Sequence, residues 1–76
     1  MNGNGRRPAI GTYAVDTRTG HVGRVMGHEG PYVQLRLVGG GREWDCAPEV
    51  VRTATTIERL RAATAYENAR SRGEVP

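Results

Sequence analysis

Four side chains have the chemistry that metal binding or nucleophilic catalysis requires: His21, His28, Asp45 and Cys46. The two histidines are seven positions apart, whereas a helical metal site places its histidines one turn apart on one face. Cys46 is predicted to point into the core, where a thiol in apolar surroundings stays protonated and unreactive. We therefore expect no catalytic residue, no metal and no cofactor, and a protein that is not an enzyme.

Three consecutive glycines, Gly39, Gly40 and Gly41, suggest a phosphate-binding loop. Such a loop binds its anion because it leads from a strand into a helix, whose first backbone amides point at the ligand. Here the glycines lead into a predicted strand. The run is therefore predicted to form the flexible tip of a hairpin.

Three aromatic residues, Tyr13, Tyr32 and Trp44, raise the alternative of an aromatic cage or a base-stacking platform. The strand register predicted below turns Tyr13 and Trp44 toward the core and leaves only Tyr32 outside. Core packing is therefore favoured for two of the three, and Tyr32 is the best exposed aromatic.

Polar and aromatic side chains that the pattern turns outward form the most specific candidate binding surface, for protein or nucleic acid. They are Arg24, Met26, Tyr32, Gln34, Arg36, Glu43 and Asp45, with Tyr66 added from the C-terminal helix. Arg24, Gln34 and Asp45 are predicted to form one row, with Arg36 beside Glu43. Two readings stay open: a solvated face whose exposed ion pairs contribute less than about 1 kcal/mol each, or a polar recognition face.

The first strand and its turn are predicted from residues 12–20. Tyr13 and Val15 alternate with Ala14 and Asp16, which is the pattern of a half-buried strand. The segment TRTG then supplies a turn, because its glycine tolerates a positive φ. A four-residue loop places Val15 opposite Val22 and turns Val22 toward the core.

The second strand is predicted to bend. A loop over residues 27–31 sets Val25 opposite Val33, so Val25 also points inward. Val22 and Val25 cannot share a face of a regular strand. A bulge at Gly23 resolves the conflict and allows a short meander to curl into a barrel.

The remaining strands follow from alternation and turn residues. Residues 32–37 place Val33, Leu35 and Leu37 inward. A loop over residues 38–41 then sets Leu35 opposite Trp44 and Arg36 opposite Glu43. Residues 47–50 contain a proline and predict one turn of 3₁₀ helix. Residues 51–54 predict a short closing strand.

The C-terminal helix begins with a capping box made by Thr55 and Glu58. Two apolar stripes run along it. The first stripe, which consists of Ile57, Leu60, Ala63 and Thr64, is predicted to dock on the barrel. The second stripe, Ala62, Tyr66 and Ala69, leaves Tyr66 partly exposed.

The predicted fold class is mainly β with one C-terminal helix. A disordered arm (residues 1–11) precedes a five-stranded antiparallel SH3-like barrel (residues 12–54), a helix (residues 55–72) and a tail (residues 73–76). Seventy-six residues make one domain that hides only about 60% of its unfolded surface. A partner or self-association would supply what so small a core lacks.

The net charge and the cysteine content indicate which cellular compartment and which kinds of partner to expect. The net charge of +3 comes from residues 1–11 and 55–76, whereas the five arginines and five carboxylates of residues 12–54 offset each other. A single cysteine and the lack of an opening apolar segment favour a reducing cytoplasm. No run approaches the roughly 20 apolar residues of a membrane span, so no membrane partner is expected.

Two segments resemble a known group of domains. The segment TGHVGRVMGHEGPYVQLR, residues 19–36, resembles the glycine-punctuated strand-turn-strand of KOW-type and other SH3-like small barrels. The segment GGGREWDCAPEVVRTA, residues 39–54, is similar to the way in which many of them close. Because Tudor-like, PRC-type and KOW modules bind unlike partners, the resemblance implies a non-catalytic binding module without selecting the ligand. The lysine-free composition also resembles that of small actinobacterial proteins.

Two functions follow as expectations. The first is a protein-protein interaction adaptor or regulator that uses the outward surface, with self-association through the C-terminal helix as one form of it. The second is a nucleic-acid-binding module of the KOW kind, with arginines of the arm, sheet face and helix on phosphates. The neutral barrel argues against the second, because affinity for nucleic acid requires concentrated positive charge.

Overall fold

A computed structural model describes residues 8–71 and residue 73. The strands are β1 (Tyr13–Asp16), β2 (His21–Glu29), β3 (Tyr32–Leu37), β4 (Glu43–Cys46) and β5 (Val51–Thr53), and one helix, α1 (Thr56–Ser71), follows them. A single turn of 3₁₀ helix, Pro48–Val50, precedes β5. The strands form one antiparallel sheet in the order β4-β3-β2-β1-β5. The predicted mainly β fold with a C-terminal helix is confirmed.

The predicted arm and tail lie mostly outside the described residues. Residues 8–11 lie along the sheet, where the Gly11 amide donates to the Val25 carbonyl at 2.8 Å. The Nε2 atom of His28 lies 3.0 Å from the carbonyl oxygen of Pro8. These two contacts attach the described end of the arm segment to β2.

The core lies on one face of the sheet, which we call the inner face. Its fully buried members are Ala14, Val25, Val33, Leu35 and Cys46, and Trp44, Val50 and Val51 pack against them. The strict alternation of β3 creates this face. The β3–β4 register that sets Leu35 opposite Trp44 and Arg36 opposite Glu43 is confirmed.

β1 has the predicted register but the opposite orientation. Val15 pairs with Val22 as predicted. However, Ala14 and Asp16 face the core, at 0% and 1% exposure, and Tyr13 lies on the other side, which we call the outer face. Val15 is buried as predicted, at 4% exposure. The predicted outward position of Ala14 and Asp16 was wrong, because Ala14 pairs with Gly23 and follows its orientation.

β2 carries its bulge at Met26 rather than at Gly23. Val25 pairs with Leu35, and Gly27 pairs with Gln34, so Met26 is the extra residue. The predicted five-residue loop is also wrong, because the β2–β3 turn has only two residues, Gly30 and Pro31. In a regular strand this turn would set Val25 opposite Arg36 and turn it outward. The bulge returns Val25 to the core.

Gly23 serves close packing. A Cβ atom at this position would lie 2.9 Å from the carbonyl oxygen of Arg36, 3.1 Å from the Trp44 ring and 3.2 Å from the Leu35 Cβ. The missing side chain therefore allows β4 to place its tryptophan over β2. This is the role of a strand glycine where another group approaches closely.

The sheet curls strongly but is not closed into the predicted barrel. β4 and β5 are its two edges, and no backbone pairing joins them within the described residues. β1 and β4 are three strand spacings apart, about 14 Å in a flat sheet. Nevertheless, Trp44 Nε1 on β4 lies 3.0 Å from the Asp16 carboxylate on β1. The short β5, three residues long, pairs with β1 alone and leaves the ends unjoined.

Helix α1 starts at the predicted capping box. The Glu58 amide donates to Thr55 Oγ1 at 3.1 Å, and the Thr55 amide donates to Glu58 Oε1 at 2.9 Å. The docking stripe, however, was wrongly predicted. Ile57 and Leu60 are 56% and 53% exposed, whereas the second stripe is half-buried and Tyr66 packs over Gly39. The small residues of the second stripe allow closer approach to the sheet.

Candidate functional site

A cluster of hydrogen-bonded polar and titratable side chains surrounds Asp16 on the inner face. Its carboxylate accepts hydrogen bonds from the Arg18 amide (3.0 Å) and from the Arg18 guanidinium (3.2 and 3.1 Å). Trp44 Nε1 donates at 3.0 Å and Cys46 Sγ at 3.2 Å. The aspartate thus links the end of β1 to both inward residues of β4.

The protonation states of this cluster are those of a structural site. The Arg18 guanidinium, supported by the Cys46 and Trp44 donors, holds the pKa of Asp16 well below its usual range against the opposing effect of burial. Burial, followed by the neighbouring Asp16 carboxylate, raises the pKa of the Cys46 thiol. A protonated, fully buried thiol is a poor nucleophile. The cluster therefore links β1 to β4 through an ionised carboxylate and a protonated thiol.

The two histidines do not join this cluster as ligands. The His21 ring stacks edge-on against Trp44, with centroids 6.3 Å apart. His28 lies at the other end of β2, beside Pro8. No group of three or more His, Cys, Asp or Glu side chains that could hold a metal ion occurs in the described part of the chain.

The predicted surface residues lie mainly on the outer face of the sheet. Five of them come from β3 and β4: Tyr32, Gln34, Arg36, Glu43 and Asp45. Arg24 joins them from β2, and the bulge exposes Met26 at 38%. Tyr66 stands apart on α1, against Gly39. We call the six sheet residues together with Met26 the outer surface.

The bulge changes which charges meet on the outer surface. Of the predicted row, Gln34 lies opposite Asp45 as predicted, but Arg24 does not lie opposite Gln34. Instead Arg24 lies directly opposite Arg36, and Arg36 lies opposite Glu43. The closest approach between the Arg36 guanidinium and the Glu43 carboxylate is 3.8 Å, with both side chains about half exposed. Within the described residues, the Arg24 guanidinium has neither an ion pair nor a hydrogen bond.

The two arginines line a cleft of about 230 Å³, which we call the arginine cleft. Its lining consists of Tyr13, Arg24, Met26, Arg36, Leu37, Val38, Gly39 and Gly40. The Arg59 guanidinium of α1 lies 5.2 Å from the centroid of the Tyr13 ring, but Arg59 lines a separate pocket and not this cleft. Gly40 forms one wall, where a Cβ atom would lie 3.4 Å from the Arg36 guanidinium, in ordinary contact with it.

No family model, curated protein or solved structure matches this chain. Function is therefore inferred from the geometry of its surfaces. In residues 8–71 and 73, no helix combines the length and apolar composition needed to cross a membrane.

A second concave surface lies between α1 and the sheet. It is a groove of about 500 Å³ with an apolar lining that includes Val22, Leu37, Val38, Ala62, Ala65 and Tyr66. The Arg52 guanidinium fixes the N-terminal end of α1 through two contacts with Glu58, at 2.8 and 2.6 Å. These contacts lower the pKa of Glu58 to about 2. The groove remains open because the small residues of α1 fill little of it.

Two features of the site were missed in the sequence. The Asp16 cluster was not predicted because Asp16 was placed on the exposed face of β1. The spacing of Asp16 and Arg18 nevertheless suits a turn closed by an aspartate side chain. The Arg24–Arg36 pair escaped because the turn was placed wrongly. A two-residue Gly30–Pro31 turn, together with the need to keep Val25 inside, would have predicted the bulge and hence the pair.

Proposed function

We propose that this protein is a non-catalytic binding module that recognises an acidic segment of another protein on its outer surface. The pairing of Arg24 with Arg36 carries the proposal. Like charges directly opposite each other on neighbouring strands destabilise a sheet. A negatively charged partner offsets this repulsion, and the Arg24 guanidinium, which has no ion pair among the described residues, is available to it.

The composition around the pair also favours a protein partner. Tyr32 and Met26, at 47% and 38% exposure, flank the arginines, and these residue types are enriched in protein interfaces. Glu43 and Asp45 lie farther along the same face. A surface with both signs of charge selects a partner with a complementary pattern rather than a uniform polyanion.

Charge reversal at one arginine tests this function. Tagged wild type, Arg24→Glu and Arg42→Glu proteins are used to capture partners from a lysate of the source organism, with nuclease added. Arg42 is the matched control, because its guanidinium lies 5.5 Å from the Trp44 ring centroid, outside the arginine cleft. A set of proteins lost with Arg24→Glu but kept by Arg42→Glu is expected. Identical recovered sets for all three would contradict the proposal.

Nucleic acid is the second candidate, favoured by the Arg24–Arg36 pair and by the exposed helix arginines Arg59 and Arg61. Against it, Glu43 and Asp45 share the outer face and repel a phosphate backbone. Binding to a labelled single-stranded oligonucleotide is measured between low and moderate salt. Steep salt-dependent binding that is lost with Arg24→Glu would favour this candidate over the protein partner.

We also propose that the fold is an open relative of the SH3-like small barrel and that the protein resides in a reducing cytoplasm. Support for the barrel type comes from the position of β5 beside β1, after one turn of 3₁₀ helix. Support for the compartment comes from the single cysteine, Cys46, which is buried as a free thiol.

We also propose that the protein self-associates through α1, with a second copy of the chain as the partner. Ile57 and Leu60 leave an apolar stripe exposed on α1. Light scattering after size exclusion, over a range of concentrations, measures the oligomer. A dimer that Leu60→Ser converts to a monomer supports it, and a monomer at every concentration refutes it.

A further inference from the structure

The arginine cleft combines features that distinguish among anions. Arg24 and Arg36 are direct cross-strand partners, which places their Cβ atoms about 5 Å apart. Their side chains line the same cleft. A single anionic group placed there therefore lies within reach of two guanidinium groups, each with several N–H donors in a planar fork.

The N–H donors of the cleft exceed what one carboxylate can accept. Glu43 offsets part of the charge of Arg36, but its carboxylate lies 3.8 Å from that guanidinium, beyond hydrogen-bonding distance, and leaves the N–H donors to a ligand. A carboxylate offers two oxygens and one negative charge, which matches a single guanidinium. A phosphate monoester carries a charge of about −1.5 to −2 at neutral pH and offers three acceptor oxygens. It can therefore accept from both arginines at once. A phosphodiester, with one charge and two free oxygens, cannot satisfy the pair equally well.

The walls of the cleft leave space for such a group. Gly39 and Gly40 line it, with φ values of 93° and 94°. Side chains rarely adopt this backbone conformation, so the glycines are needed there. A side chain at Gly39 would also collide with the Tyr66 ring. The two glycines thus fix the path of the loop along the cleft, and the volume of about 230 Å³ accommodates a phosphate group.

We propose that the arginine cleft is a binding site for a phosphate monoester carried by a phosphorylated serine or threonine of the partner protein. This inference rests on the proposed function, because it names the group through which the acidic segment is recognised. Met26 in the wall of the cleft and Tyr32 on the adjoining surface contact the rest of that segment. The acidic residues Glu43 and Asp45 disfavour an extended polyanion, which assigns the phosphate to a protein rather than to nucleic acid.

The site is tested on the full chain with small probes. Methyl phosphate and dimethyl phosphate are titrated at constant ionic strength into isotope-labelled protein, and the amides of Gly39, Gly40 and Gly41 are followed by NMR. Methyl phosphate is expected to give saturable shifts, and dimethyl phosphate is not. In Arg24→Gln the affinity for methyl phosphate should fall at least about tenfold, as for loss of a charge-assisted hydrogen bond. Arg42→Gln removes the same charge outside the cleft and should bind like wild type.

Three results would overturn the site: no saturable shift, equal shifts with the diester, or undiminished binding by a folded Arg24→Gln. A second arm compares a short phosphoserine peptide with its unphosphorylated twin and with a mononucleotide. Tightest binding of the phosphopeptide supports the assignment to a protein, whereas tighter binding of the mononucleotide overturns it. If methyl phosphate fails but Arg24→Glu still loses its protein partners, the phosphate assignment falls and the proposed function stands.

Discussion

The carboxylate of Asp16 accepts hydrogen bonds from Arg18, Trp44 and Cys46, which join β1 to β4 across the curled sheet. Its pKa is lowered in the folded protein, first by Arg18. A carboxylate with a lowered folded pKa contributes stability above its unfolded pKa of about 3.9, and this contribution is lost as the pH falls toward the folded value. Asp16 therefore links acid unfolding to the integrity of the inner face.

Asp16→Asn should destabilise the fold by about 2 kcal/mol or more at neutral pH. The asparagine NH₂ group would replace a carboxylate oxygen that accepts hydrogen bonds, so a buried donor would lose its acceptor. Urea unfolding between pH 7 and pH 3 measures this. Below about pH 4, the difference from wild type should shrink, because wild type then loses the carboxylate's contribution. Asp45→Asn makes the same chemical change at an exposed position and should behave like wild type. Equal stability of Asp16→Asn and Asp45→Asn at neutral pH would contradict the structural role of Asp16.

Gly23→Ala should destabilise the protein by about 1–3 kcal/mol, the usual cost of inserting a methyl group into a close-packed site. Two of its three nearest atoms belong to β3, which cannot move away easily. Gly27→Ala is the matched control on β2, because its Cβ would approach only the flexible Gln34 amide, at 3.3 Å. Thermal unfolding of both variants tests the difference. Similar melting temperatures would show that the Trp44 ring does not pack against Gly23.

At the residue scale, the sequence predicts correctly which side chains are buried where apolar and polar residues alternate strictly. Leu35 and Val33 of β3 lie inside, as predicted. Asp16 was not predictable from alternation, because its burial depends on donors from residues 28 and 30 positions away. Hydrophobicity alone placed Tyr13 inside instead.

At the element scale, the strands and the helix were predictable because turn residues and caps bound each of them. The β2–β3 register was not, because the bulge at Met26 depends on how β2 fits two neighbouring strands at once. The docking stripe of α1 was also unpredictable from its own pattern. Exposed Ile57 and Leu60 are the larger apolar residues, yet the flatter stripe around Ala62 and Tyr66 faces the sheet.

The capping box gives a prediction for α1. Thr55→Ala removes the hydroxyl that accepts from the Glu58 amide, so the free energy of unfolding should fall by about 1 kcal/mol. Thr56→Ala is the control, since it changes an exposed helical residue next to the cap without removing that bond. Circular dichroism during urea unfolding compares the two. A Thr55→Ala midpoint equal to that of wild type would place the helix start elsewhere.

At the scale of the whole molecule, the two faces of the curled sheet have different roles. The inner face closes around Asp16 and holds the fold, whereas the outer face carries α1 on one part and the arginine cleft on another. The overall neutrality of residues 12–54 concealed this arrangement in the sequence. Only the observed register places two arginines opposite each other, so the candidate site could be predicted by residue but not by geometry.

Site-specific photocrosslinking in the source cell tests the location of the binding surface most directly. Benzoylphenylalanine replaces Gln34 or Tyr32 on the outer surface, or Glu49, an exposed residue of the 3₁₀ turn that does not belong to the outer surface. We expect protein adducts from Gln34 and Tyr32 that disappear when Arg24→Glu is added, and none from Glu49. Adducts from Glu49 alone, or outer-surface adducts that persist with Arg24→Glu, would contradict a partner site at the arginine cleft.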